Sequence, residues 1–73
     1  MIRYKFGTKI IRSAGYNAQY AVLEVEFAQD GQILHYSNVP EEVWYHLRNE
    51  KYPDSFFQQY IKGHYRERRI FIG

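Results

Sequence analysis

From Ala21 to Phe27 the chain reads AVLEVEF, with Leu23, Val25 and Phe27 alternating with Glu24 and Glu26. A period of two is the mark of a strand with one dry face and one wet face. The residues on either side extend the pattern into a sheet. Downstream, Asp30-Gly31 is the dipeptide that supplies tight hairpin turns, and ILHYS returns with Leu34 and Tyr36 on one face and Ile33, His35 and Ser37 on the other. Upstream, KIIRSAGY from Lys9 to Tyr16 is β-rich. Gly15 near its end marks a bulge or a close backbone approach. The NAQY stretch that follows is a turn, with Asn17 suited to a left-handed conformation. Three short strands joined by short turns predict an antiparallel meander.

The period then changes. After Tyr36 the chain reads SNVPEEVW, in which Asn38 suits a helix cap and Pro40 the first turn, where its missing N–H has no helical partner. Glu41, three residues after Asn38, completes a capping box, and Glu41 with Glu42 suits the positive end of the helix dipole. Val39, Val43, Trp44 and Leu47 form one apolar stripe. Pro53 interrupts by pushing Tyr52 out of the helical region. Asp54 or Ser55 then caps a second helix, Ser55 with Gln58 as reciprocal partner. Phe56, Phe57, Tyr60 and Ile61 make its apolar face, and Gly63 ends it. The last stretch, HYRERRIFIG, reads either as a fourth strand through RIFI or as a basic tail.

The predicted fold class is α+β. A three-stranded antiparallel meander is followed by two helices packed on one face of the sheet, in two layers, within one domain spanning residues 1–73. A chain of 73 residues without a cysteine must be stabilised by its core alone or by self-association. Eight tyrosines, five phenylalanines and one tryptophan supply that core. No apolar run reaches the roughly 20 residues that a membrane helix needs, and the opening MIRYKFGTK has no secretory apolar region. A cytoplasmic location is expected.

Charge is distributed unevenly. Arg3, Lys5, Lys9 and Arg12 carry the first twelve residues, and Lys62, Arg66, Arg68 and Arg69 outnumber Glu67 in the last twelve. Between them Glu24, Glu26, Asp30, Glu41, Glu42, Glu50 and Asp54 face only Arg48 and Lys51. If the fold sets the two ends side by side, they form one positive face suited to a polyanion.

Catalytic chemistry finds little to work with. Nucleophilic catalysis needs a hydroxyl or thiol beside an oriented base, and Ser13, Ser37 and Ser55 sit where a strand, a strand end and a cap need them. Glu24 and Glu26 share a wet strand face, where alternating carboxylates are solvated. His35, His46 and His64 match none of the short zinc spacings. The glycines are scattered and form no phosphate loop. No enzyme activity, cofactor, metal or small-molecule substrate is expected.

The run YIKGHYRERR interleaves aromatic faces, which stack on unpaired bases, with cations, which neutralise phosphates. The candidate nucleic-acid contacts are Lys62, Tyr65, Arg66, Arg68 and Arg69, extended by Arg3 and Arg12. The alternative is a protein-interaction or self-association surface around the first helix, with Trp44, Tyr45 and Tyr52 as aromatic anchors.

The order of these elements resembles a known family. A Gly15-Tyr16 strand end, an acidic-hydrophobic strand closed by Phe27, an Asp30-Gly31 turn, Tyr36 and Asn38-Val39-Pro40, a short helix holding Leu47, and the pair Phe56-Phe57 before Ile61 and Tyr65 are similar to the KTSC domain. That small module is named for the C-terminus of some lysyl-tRNA synthetases and also occurs as a stand-alone bacterial protein. The resemblance runs from about Lys9 to about Tyr65. It departs from the family where the central Y-x-Y falls on Leu34-His35-Tyr36, keeping only the second tyrosine, and where KYPDSF replaces a later S-x-G. The resemblance implies an α+β fold and RNA as the expected ligand.

Overall fold

The computed structural model describes residues 2–70. Five strands, β1 (Arg3–Lys5), β2 (Ile11–Asn17), β3 (Val22–Phe27), β4 (Ile33–Tyr36) and β5 (Glu67–Ile70), form one antiparallel sheet in the order β1-β2-β3-β4-β5. Between β4 and β5 lie α1 (Glu41–Asn49) and α2 (Pro53–Phe56), the latter running into a π-helical turn at Phe57–Ile61. The α+β class agrees with the sequence, but the sheet has five strands where three, or four, are expected. The short charged β1 carries no alternating apolar signal because all three of its residues are exposed. The basic end pairs with β4 as a strand rather than trailing as a tail; the Phe71 and Ile72 part of the anticipated RIFI strand lies outside the described residues.

Register explains the pattern read from AVLEVEF. Leu23 pairs with Tyr36 and Val25 with Leu34, so these four point to one face, and Glu24 opposite His35 points to the other. Ala14, Leu23, Val25 and Tyr36 belong to one buried cluster with Trp44 and Leu47 of α1 and with Phe57 and Ile61 of the π-helical turn. Aromatic edges close it: Phe57 meets Tyr36 at 5.7 Å and 82°, and Phe27 at 5.6 Å and 65°. The wider π turn, in which Lys62 N–H donates to the Phe57 carbonyl five residues back at 2.9 Å, brings Phe57 and Ile61 together into the cluster.

Gly15 serves the close approach that its position suggests. A Cβ there would lie 2.6 Å from the Ile2 carbonyl oxygen, so only glycine lets β1 lie alongside β2 at this point. The register irregularity falls elsewhere, between Ile11 and Ser13. In the hairpin after β3, Gly31 adopts φ +72° and Asp30 Oδ1 accepts from Gln32 N–H at 3.1 Å.

The capping assignments change. Asn38 does not cap α1: it adopts a left-handed φ of 57°, and Pro40 holds the cap position without a side-chain bond. The junction is fixed by backbone instead. Val39 N–H donates to Ala21 O at 2.9 Å, and the Tyr16 hydroxyl donates to Val39 O at 2.6 Å. These bonds recruit the turn after β2, where Asn17 acts through its side chain on Gln19 and Tyr20 N–H while Ala21 takes the positive φ. Neither Asp54 nor Ser55 caps the second helix, which begins at Pro53 after a non-helical Tyr52 at φ −124° and ψ 75°. Asp54 reaches across the chain, accepting from the Thr8 hydroxyl at 2.6 Å and from Ile10 N–H at 3.2 Å. A carboxylate that local sequence assigns to a helix end therefore clamps the β1–β2 loop.

Candidate functional site

The sheet order decides the fate of the basic ends. β1 and β5 are opposite edges, four strand spacings or about 19 Å apart. The two basic termini therefore do not form one positive face. The register sets Arg3, Gly15, Glu24, His35 and Arg68 in a single row across all five strands.

On that face two of the N-terminal cations, Arg3 and Arg12, are paired. Arg3 pairs with Glu24 at 3.1 Å and with Glu26 at 3.5 Å, and Arg12 pairs with Glu26 at 3.6 Å. The Ser13 hydroxyl donates to Glu26 at 2.8 Å and the His35 ring meets Glu24 at 2.7 Å. Glu24 and Glu26 are thus the anchors of a polar network, and the two arginines predicted to extend a phosphate-binding surface serve it. Ser13 and His35 lie two strands apart and bond to different carboxylates, so the network contains no serine–histidine pair. Among the described residues no group of three or more His, Cys, Asp or Glu is placed to hold a metal ion.

The C-terminal cations are differently placed. Lys62, Arg66, Arg68 and Arg69 are all exposed on the segment that leads into and forms the β5 edge. Arg68 lies opposite His35 and Arg69 opposite Leu34, so successive arginines leave the strand on opposite faces. Among the described residues Lys62, Arg66 and Arg68 have no ion-pair partner. Tyr65 is half-buried and packs against the core, whereas Tyr60, on the π-helical turn, is 53% exposed. Tyr60 rather than Tyr65 is the more accessible aromatic face beside the basic segment. Its exposure is the one feature its place in the apolar stripe conceals.

The candidate aromatic anchors separate. Trp44 is a core residue, 5% exposed and stacked on Tyr16 at 6.1 Å, and so cannot serve as a surface anchor. Tyr45 and Tyr52 are exposed. Arg48 covers the Tyr4 ring at 4.1 Å and the Trp44 ring at 5.4 Å, which ties α1 to β1.

Two phenols have perturbed acidity. Burial, then the Glu41 charge, raises the pKa of Tyr16. Tyr36 is raised much further, by burial first and then by the Glu67 carboxylate opposite it in register. Its hydroxyl is buried without a hydrogen-bond partner of ordinary geometry.

A feature the sequence reading misses lies between α1 and the second helix. A groove of about 540 Å³ is lined by Glu42, His46 and Glu50 from one side and by Phe56, Tyr60 and Tyr65 from the other. The His46 ring stacks on Phe56 at 5.6 Å and 21°, and Phe56 meets Tyr60 at 5.1 Å. The spacing of Glu42, His46 and Glu50, four residues apart, is the only signal of it in the sequence.

The chain is therefore a small α+β domain with an exposed basic edge. It belongs to the KTSC domain family, whose profile matches residues 8–65. The crystal structure of a KTSC domain protein from Yersinia pestis superposes with a TM-score of 0.91 at 28% identity, covering 96% of this chain and 97% of that one. No curated protein matches the sequence.

Proposed function

We propose that this protein is a small, non-enzymatic, cytoplasmic binding module for RNA, contacted through the β5 edge. The observation that carries the reading is the set of three exposed cations without ion-pair partners among the described residues, Lys62, Arg66 and Arg68. The ammonium and guanidinium groups neutralise phosphates, Arg by a bidentate fork. The reading takes both helices to cover one face of the sheet, which leaves Arg68 on the other, beside the row of Glu24 and His35. Those carboxylates are occupied by Arg3 and Arg12, so they repel a polyanion less than their count suggests.

The test is binding of labelled tRNA and of a short single-stranded RNA at low and moderate salt, with Lys62, Arg66 and Arg68 changed together to Ala. Each phosphate contact to a single strand contributes about 0.7 to the slope of log affinity against log salt, so three contacts give a slope near −2. Loss of that slope in the triple variant supports the reading. Binding that the triple variant retains unchanged refutes it.

A further inference from the structure

We infer that the groove between α1 and the second helix is a docking site for an extended, basic segment of a partner protein, one carrying two Lys or Arg residues about four positions apart. Its occupant is set by charge and by ring faces. Glu42 and Glu50 are exposed and border the groove, and Glu50 stands at the C-cap of α1, where the helix carbonyls add partial negative charge. His46 is the sole basic side chain of the lining and lies 3.9 Å from Glu50. Between the carboxylates run the faces of Phe56, Tyr60 and Tyr65, which attract a cation and accept its aliphatic stem. A phosphate backbone would meet two carboxylates here, so the groove and the β5 edge select ligands of opposite charge.

Geometry sets the spacing. Glu42 and Glu50 are eight residues apart, about 12 Å along a helix. An extended chain covers that distance in about four residues. Two cations at that separation address both carboxylates at once, and an apolar residue between them lies over the rings.

The same molecule shows the chemistry already in use. Arg48 rests on the rings of Tyr4 and Trp44 within one structure. In the groove the ring of Tyr60 remains accessible, 53% exposed.

The experiment titrates the full 15N-labelled chain with the peptide G-K-A-L-A-K-G, with a copy in which norleucine replaces both lysines, and with a copy in which the two lysines are adjacent. The expected result is saturable movement of the amides of Val43, His46, Glu50 and Tyr60 by the first peptide, weaker movement by the adjacent-lysine copy and none by the norleucine copy. Glu42→Gln and Glu50→Gln each weaken binding about two- to five-fold, as exposed charge pairs do, and Tyr60→Ala weakens it by a similar factor. These side chains are exposed, so unchanged amide positions in β2 and β3 verify that the variants fold. The inference is overturned if the norleucine copy binds equally, if millimolar peptide leaves the groove amides still, or if the Gln variants bind with full affinity. It is also overturned if single-stranded RNA moves these same amides. The inference does not rest on the RNA reading: the Glu42→Gln and Glu50→Gln variants retain whatever RNA affinity the chain has, and loss of RNA binding in the β5-edge variant leaves the peptide result unaltered.

Discussion

Replacing Tyr36 with Phe is expected to stabilise the protein. Tyr36 is fully buried in the centre of the core, against the edge of Phe57. Its ring contributes apolar packing that a phenylalanine keeps, including the edge-to-face contact at 5.7 Å. Its hydroxyl is buried with no partner of ordinary geometry, and an orphaned buried donor costs about 1–3 kcal/mol. Removing one oxygen leaves a void too small to cancel that gain, so a net stabilisation of about 1 kcal/mol follows. In a domain of this size that raises the melting temperature by roughly 4–8 °C. Thermal melts followed by circular dichroism at pH 7 measure it.

The pH dependence gives a second readout on the same variant. The folded-state pKa of Tyr36 is raised above the unfolded value of 10.0, by burial first and by Glu67 second. Below pH 10 both states hold the proton and the phenol adds no slope. Above it the unfolded chain ionises first, the folded state binds more protons, and stability falls by up to about 1.4 kcal/mol per pH unit. The Tyr36→Phe variant loses that component of the alkaline decline, so its stability advantage widens in urea titrations between pH 10 and 11. A melting temperature that drops in Tyr36→Phe at pH 7, matched by an equal drop in Glu67→Gln, would refute the reasoning. It would show that the hydroxyl donates a sound hydrogen bond to the Glu67 carboxylate.

Three further outcomes follow from the same structure. Gly15→Ala sets a Cβ 2.6 Å from the Ile2 carbonyl and must push β1 outward, costing about 1–3 kcal/mol and removing slow hydrogen exchange from β1 while β3 stays protected. Asp54→Ala leaves the Ile10 N–H without its acceptor and the Thr8 hydroxyl with only the Ile11 carbonyl, and lowers stability by about 1–3 kcal/mol in denaturant titration, whereas Ser55→Ala, exposed and capping nothing, changes it by less than about 0.5. Arg3→Ala releases Glu24 and Glu26 rather than a phosphate contact, so it leaves the salt slope of RNA binding where it is; a reduced slope would place β1 in the interface.

The elements that the sequence made legible are those whose information is local. The alternation in β3, the Asp30-Gly31 turn, the pause at Pro53 and the apolar pairs at Phe57 and Ile61 all follow from residues within a few positions of one another. The family could be read because the order of such elements survives substitution. What escaped is non-local. Nothing within β1 signals a strand, since its pairing depends on a glycine twelve residues beyond its partner Arg3. Local sequence offers Asp54 or Ser55 as a helix cap, whereas the donors that Asp54 accepts from lie more than forty residues back in the chain. The charge segregation was real in the sequence, yet only the sheet order reveals that the two basic ends occupy opposite edges. The groove required knowing that two helices lie close enough to bring Glu42 and Glu50 against Tyr60.

Sheet order also bears on why the two sets of cations have different work. A strand in the middle of a sheet that exposes Glu24 and Glu26 on one face must have those charges answered, and Arg12 reaches Glu26 from the neighbouring β2 while Arg3 reaches both from β1, across β2. At β5 the charges sit on an edge strand, and consecutive arginines there disfavour pairing with another chain. An edge guarded in this way is also a row of accessible cations, so the same residues that keep the sheet from extending make it attractive to a polyanion. The two roles separate under substitution with Glu: Arg66→Glu and Arg68→Glu keep the edge charged and the protein soluble while reversing its attraction for phosphate. If the β5 cations only guard the edge, that reversal leaves RNA affinity untouched. If they bind, affinity falls below that of the Ala variants, because a carboxylate repels the phosphate that the guanidinium held.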